Sequence, residues 1–209
     1  MPPIRVEDEF ARADERAEAL KAFNWAVRLE QQNDRAGARA SYENADSAGH
    51  AGAACNLGVM MELDGDMEAA RAAYARADER GDANGAFNLG CLLDERGDAV
   101  GALDAYERAD QRGHAKAATN LGVLMEVRGE IANARAAYER AEQRGDPNGA
   151  ANLGALLEDL GERGAAKDAY RRAKRMRPAP ARDTTDVTPQ ERSPNEERSP
   201  TFTRRGDGA

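Results

Sequence analysis

Five asparagines stand one repeat apart at Asn24, Asn56, Asn88, Asn120 and Asn152. Each is followed six residues later by a carboxylate: Glu30, Glu62, Asp94, Glu126 and Glu158. A side-chain amide both donates and accepts, so it can pair with a peptide group whatever the sequence around that group. A row of carboxylates attracts cationic segments and repels acidic ones. Asparagine is also a poor helix-interior residue, because its side chain competes for the backbone. Recurrence at one position therefore needs a cause: contact with a ligand, or a bond to the neighbouring repeat that orders the stack.

Catalytic constellations are not visible. There is no Ser-His-Asp set, Gly-rich phosphate loop or HExxH motif. Nothing singles out one carboxylate pair among many. His50 and His114 occupy the same repeat position two repeats apart. With helix layers about 10 Å apart, they are separated by roughly 20 Å. They do not form a metal pair. We expect no enzyme, no metal and no cofactor.

The elements that position these residues come from a 32-residue period. Asn56-Leu57-Gly58 returns as Asn88-Leu89-Gly90, Asn120-Leu121-Gly122 and Asn152-Leu153-Gly154. Tyr42, Tyr74, Tyr106, Tyr138 and Tyr170 keep the same step. Self-similarity at this length signals stacked supersecondary units. In residues 83–114, Phe87, Leu89, Leu92 and Leu93 recur at helical spacing. Gly97 suits the left-handed position past a helix end, and Asp98 suits the cap of the next helix. The same punctuation stands at Asn33-Asp34, Gly65-Asp66, Gly129-Glu130 and Gly161-Glu162, with Glu the weaker cap. Ala102, Tyr106 and Ala109 share one face of the second helix, which Gly113 closes.

The spacing predicts five helical hairpins, 19–50, 51–82, 83–114, 115–146 and 147–178. Phe10 stands one period before Tyr42, and Ala13 one period before Ala45. Residues 1–18 are therefore expected to be a capping half-repeat, giving about eleven helices in an all-α right-handed solenoid. Residues 179–209 are rich in Pro, Ser, Thr and Arg. They are expected to be disordered, since they bury too little to offset chain entropy. There Thr184, Thr185, Thr188, Ser193 and Ser199 are candidate phosphosites, able to switch binding.

The repeat resembles the tetratricopeptide repeat. Leu57-Gly58, Met61, Ala70, Tyr74 and Ala77 match its large and small positions, and the later repeats match in register through Leu153-Gly154, Leu157, Ala166, Tyr170 and Ala173. The first repeat is degenerate, with Trp25-Ala26, Leu29, Ala38, Tyr42 and Ala45. The period is 32 rather than the family's usual 34, and the Gly-Asp or Gly-His turn is similar to that of Sel1-like repeats. The resemblance implies ligand binding on a concave wall of first helices, with an asparagine before Leu-Gly holding an extended peptide backbone. The family's carboxylate clamp needs Asn after Leu-Gly, where this chain has Val59, Cys91, Val123 and Ala155. C-terminal carboxylates are not expected as ligands.

On the second helices, Arg76, Arg108, Arg140 and Arg172 alternate with Asp78, Asp110 and Glu142. Such a pattern predicts a solvated outer face with weak ion pairs. The last helix gathers Arg171, Arg172, Lys174, Arg175 and Arg177, favoured by the helix dipole. The net charge of −8 argues against general nucleic-acid binding. No long apolar run or secretory leader is visible. Cys55 and Cys91 are expected as buried or half-buried thiols in a reducing cytoplasm. The expectation is a cytoplasmic, non-catalytic scaffold that holds a basic or neutral protein segment, or an adaptor whose tail regulates that binding.

Overall fold

The computed structural model describes residues 6–177. They form ten helices and, among the described residues, no strand. These are α1 (Val6–Gln31), α2 (Arg35–Ser47), α3 (Ala51–Leu63), α4 (Met67–Glu79), α5 (Ala83–Glu95), α6 (Ala99–Gln111), α7 (Ala115–Val127), α8 (Ile131–Gln143), α9 (Pro147–Asp159) and α10 (Arg163–Met176). The fold is an all-α stack of helical hairpins. The candidate phosphosites Thr184, Thr185, Thr188, Ser193 and Ser199 lie outside the described residues.

The chain divides into two compact units, Met1–His114 and Ala115–Ala209. In the first, the hairpins are α1–α2, α3–α4 and α5–α6, with α2 packed on α3, α4 on α5, and α3 on α5. In the second, the hairpins are α7–α8 and α9–α10, with α8 and α7 both packed on α9.

The punctuation acts as its residue types dictate. Gly97 has φ of 79° and Asn33 has φ of 60°, the left-handed backbone that closes a helix. Asp34, Asp66 and Asp98 then cap the second helices, accepting from the amides of Gly37, Ala69 and Gly101 at 2.9–3.0 Å. Glu130 and Glu162 stand at the same position without a side-chain cap bond. Glu has an extra methylene and caps poorly.

The N-terminal half-repeat is not a separate helix. Residues 6–31 form one continuous 26-residue helix, so ten helices are found where about eleven were expected. The cause is local. Where later repeats have Gly49-His50 or Gly81-Asp82, this segment has Ala17-Glu18. No glycine or proline between 6 and 31 breaks the helix.

The core is made of small residues around tyrosine. Tyr42, Tyr74, Tyr106 and Tyr138 are almost fully buried, and Tyr42, Tyr74 and Tyr138 sit in clusters with alanines of their own and neighbouring helices. The glycine of each Leu-Gly pair lets the ring approach. A Cβ on Gly58 would lie 2.5 Å from the Tyr74 ring, and one on Gly90 would lie 2.6 Å from the Tyr106 ring. The Leu-Gly…Tyr pattern is thus one packing contact between the two helices of a hairpin.

Candidate functional site

The carboxylates of the acid ladder do not stand alone. Each glutamate accepts a hydrogen bond from its own repeat's tyrosine. Tyr42 donates to Glu30 at 2.7 Å, Tyr74 to Glu62 at 2.7 Å, Tyr138 to Glu126 at 3.0 Å and Tyr170 to Glu158 at 3.3 Å. These bonds secure the one polar side-chain atom of each of these tyrosines. Burial, and then the bond to glutamate, push the Tyr42 and Tyr74 hydroxyls well above the usual tyrosine value. Asp94 is one methylene shorter, and burial raises its carboxyl above the ordinary aspartate value. Glu30, Glu62, Asp94 and Glu126 are half-buried, while Glu158 is exposed.

The asparagines reach toward the preceding repeat. Asn56 donates to the Tyr42 hydroxyl at 2.8 Å, so Tyr42 joins Glu30 of its own repeat to Asn56 of the next. Asn88 donates to the Cys55 sulfur at 3.6 Å. Both bonds order the stack. Asn120 and Asn152 are half-buried, and Asn24 on α1 is exposed.

The arginine ladder differs from expectation. Within each unit, Arg76, Arg108 and Arg172 are not a solvated face of weak pairs but clamps between successive repeats. Asp46 is only 8% exposed and receives Arg76 Nε at 3.2 Å, Arg76 Nη2 at 2.7 Å, and Arg80. Asp78, 4% exposed, receives Arg108 Nε and Nη2 at 2.8 and 2.6 Å, and Arg112 at 2.5 Å. In the second unit Glu142 receives Arg172, and Met176 stands where a second arginine would be. Burial pushes the Asp46 and Asp78 carboxyls up, but the two arginines on each outweigh it and hold them below the usual range. The sequence pattern hides this, because along one helix the charges merely alternate, whereas the partners lie 30 and 34 residues apart.

A second device also escaped the sequence pattern. The cap position before α3 and α5 alternates in chemistry. His50 Nδ1 accepts from the Ala53 amide at 3.1 Å, and its ring stacks on Phe23 at 4.2 Å. Asp82, one repeat on, accepts from Gly85 at 2.7 Å, and the residue in the register of Phe23 is Cys55. The next pair in that register, Phe87 and His114, again stacks at 4.2 Å. In the second unit Asp146 caps α9 and accepts from the Thr119 hydroxyl. A bulky aromatic thus accompanies a histidine, and a small side chain accompanies an aspartate. Comparing alternate repeats rather than adjacent ones would have exposed the pairing.

Other chemistry is sparse. Among the described residues no His, Cys, Asp and Glu group has metal-binding geometry. Burial raises the Cys55 thiol to about 12 and the Cys91 thiol to about 11. No described helix is long and apolar enough to cross a membrane. On α10, Arg171 pairs with Asp168 at 2.8 Å, and Lys174 and Arg175 occupy the last turn.

Among solved structures, pilF of Pseudomonas aeruginosa aligns with a TM-score of 0.62 at 20% identity, covering 82% of this chain and 81% of that one. YrrB, described as a TPR protein with an unusual peptide-binding site, aligns at 0.53 and 19% identity, covering 80% and 91%. The Escherichia coli antigen c5321, described as displaying an SLR fold, aligns at 0.67 and 22% identity, covering 78% of this chain and 39% of that one. The fold is that of tetratricopeptide and Sel1-like repeat proteins. No protein-family model matches the sequence, and no curated protein matches it closely. The likeness lies in the helical-hairpin geometry, which Gly-Tyr packing reproduces here with a 32-residue period.

Proposed function

We propose that this chain is a non-catalytic interaction scaffold whose first-helix faces hold an extended or helical protein segment of basic or neutral character. The observation that carries this reading is made in each unit by itself: the first helices carry a half-buried acid at Glu30, Glu62 and Asp94 in the first unit, and a half-buried Glu126 and an exposed Glu158 in the second. A carboxylate already partly out of water attracts a cation more strongly than a fully solvated one. The tyrosine bonds fix four of these side chains, so their charge is pre-organised. Asn56, Asn88, Asn120 and Asn152 lie half-buried on the same helices and supply amides to a peptide backbone, whereas Asn24 on α1 is exposed and is not counted among them. Asn56 and Asn88 do this by exchanging a bond to the neighbouring repeat. The likeness to YrrB, with its peptide-binding site, supports the same reading.

The test is a capture experiment with the full chain and with an Asp94→Lys, Glu158→Lys variant, after circular dichroism shows equal helicity. Partners retained by the first and lost by the second support an acidic binding face. An unchanged set of partners removes it.

A further inference from the structure

Helix α1 is longer than the helix it packs on. Helix α1 has 26 residues and its partner α2 has 13. At a rise of about 1.5 Å per residue, the first spans about 39 Å and the second about 20 Å. From Ala13 to Glu18 every residue is exposed. The exposure continues along the solvent side of the packed half, where Leu20 is 50% and Trp25 is 52% exposed. Trp25 occupies the register in which Leu57, Leu89, Leu121 and Leu153 are no more than 8% exposed. This is a core position left uncovered.

The uncovered side has a pattern. Ala13, Ala17, Leu20 and Asn24 are all exposed and follow one another at steps of four, three and four. That is the heptad spacing of a two-helix seam, and one polar asparagine within such a seam fixes register and oligomeric state. Charge selects the direction. Residues 6–18 carry Glu7, Asp8, Glu9, Asp14, Glu15 and Glu18 against Arg12 and Arg16, a net −4. Residues 19–31 carry Lys21 and Arg28 against Glu30, a net +1. A parallel pair would set the acidic halves together, whereas an antiparallel pair sets each acidic half against a basic one.

We propose that α1 is a self-association element: two copies of this chain pair their α1 helices antiparallel across the seam of Ala13, Ala17, Leu20 and Asn24. The contact is isologous and closes as a dimer. Its two-fold axis lies between Glu18 and Ala19, where the charge changes sign. In this register Ala17 of one copy faces Leu20 of the other, and Ala13 faces Asn24. Each large side chain meets a small one, so the helices approach closely, and Trp25 flanks the seam.

Light scattering on the full chain should give twice the mass of one chain. Leu20→Glu and Ala17→Glu should each give the single mass with unchanged helicity, because both side chains are exposed and neither belongs to the packed core. A native chain that stays at single mass up to its highest soluble concentration overturns the proposal, as does a dimer that both variants leave intact. Direction is tested by mixing Ala13→Cys and Asn24→Cys chains under mild oxidation. The mixed disulfide should exceed the Ala13→Cys homodisulfide, and the reverse ratio overturns the antiparallel arrangement.

Discussion

Arg108 closes on Asp78 of the preceding repeat, its Nε and Nη2 both directed at one carboxylate oxygen at 2.8 and 2.6 Å, while Arg112 takes the other. The carboxylate is buried and the guanidinium groups are partly exposed, with side-chain exposures of 6% against 42% and 28%. The arrangement therefore responds asymmetrically to mutation.

Removing both arginines strands a buried charge, which costs about 3 kcal/mol. Removing the acid releases two arginines that water can resolvate, at about 1 kcal/mol. Urea unfolding of Arg108→Ala/Arg112→Ala and of Asp78→Ala should show the double variant less stable than the single one. Equal losses would mean that the clamp is held by packing rather than charge.

The clamps also set an acid limit. Asp46 and Asp78 have carboxyls held below the usual range in the folded state, so as pH falls the unfolded chain takes up protons first. Their contribution is complete above the unfolded value of about 3.9 and is lost as pH falls through the folded values. Urea midpoints should drop steeply below about pH 4, and less steeply in Arg108→Ala/Arg112→Ala.

His50 acts in a higher window. Burial lowers its value, with the Asp82 carboxylate partly opposing, and the neutral ring accepts the Ala53 amide. Stability from this group is complete above the unfolded value of about 6.5 and declines as pH falls below it, because a protonated Nδ1 cannot accept. Replacing His50 by Asp, the cap found at 82 and 146, should flatten the urea midpoint between about pH 6.5 and 5. An unchanged slope there would contradict the capping role.

Glycine substitutions separate packing from propensity. Gly90→Ala brings a Cβ to 2.6 Å from the Tyr106 ring. Overpacking of this kind costs about 1–3 kcal/mol. Gly164 in α10 has nothing within 4 Å of a built Cβ, so Gly164→Ala should stabilise. The gain is about 0.5–1 kcal/mol. Thermal unfolding of the two variants should move in opposite directions.

The hairpins, their glycine and aspartate punctuation and the tyrosine core were legible because each rests on contacts within one repeat. The Leu-Gly…Tyr spacing predicted helices that the Gly90–Tyr106 approach explains physically. The clamps were not legible along one helix, since Asp78 and Arg108 meet only when repeats stack. The long α1 was missed because Phe10 and Ala13 keep the repeat register while the turn before Ala19 is absent. Of the site, the ladder positions were visible, but the ties from Tyr42 to Glu30 and Asn56 were not. A period identifies equivalent residues without saying which neighbour each one bonds.

The central claim, an acidic peptide-holding face, is most directly tested by calorimetry with the full chain and an unstructured peptide of Gly, Ser and Lys. The same peptide with Glu in place of Lys serves as the opposite charge. The account predicts saturable binding of the basic peptide, weakened by salt and by Asp94→Lys/Glu158→Lys, and no binding of the acidic one. Equal binding of both peptides, or binding of the basic one that ignores these substitutions, would contradict it.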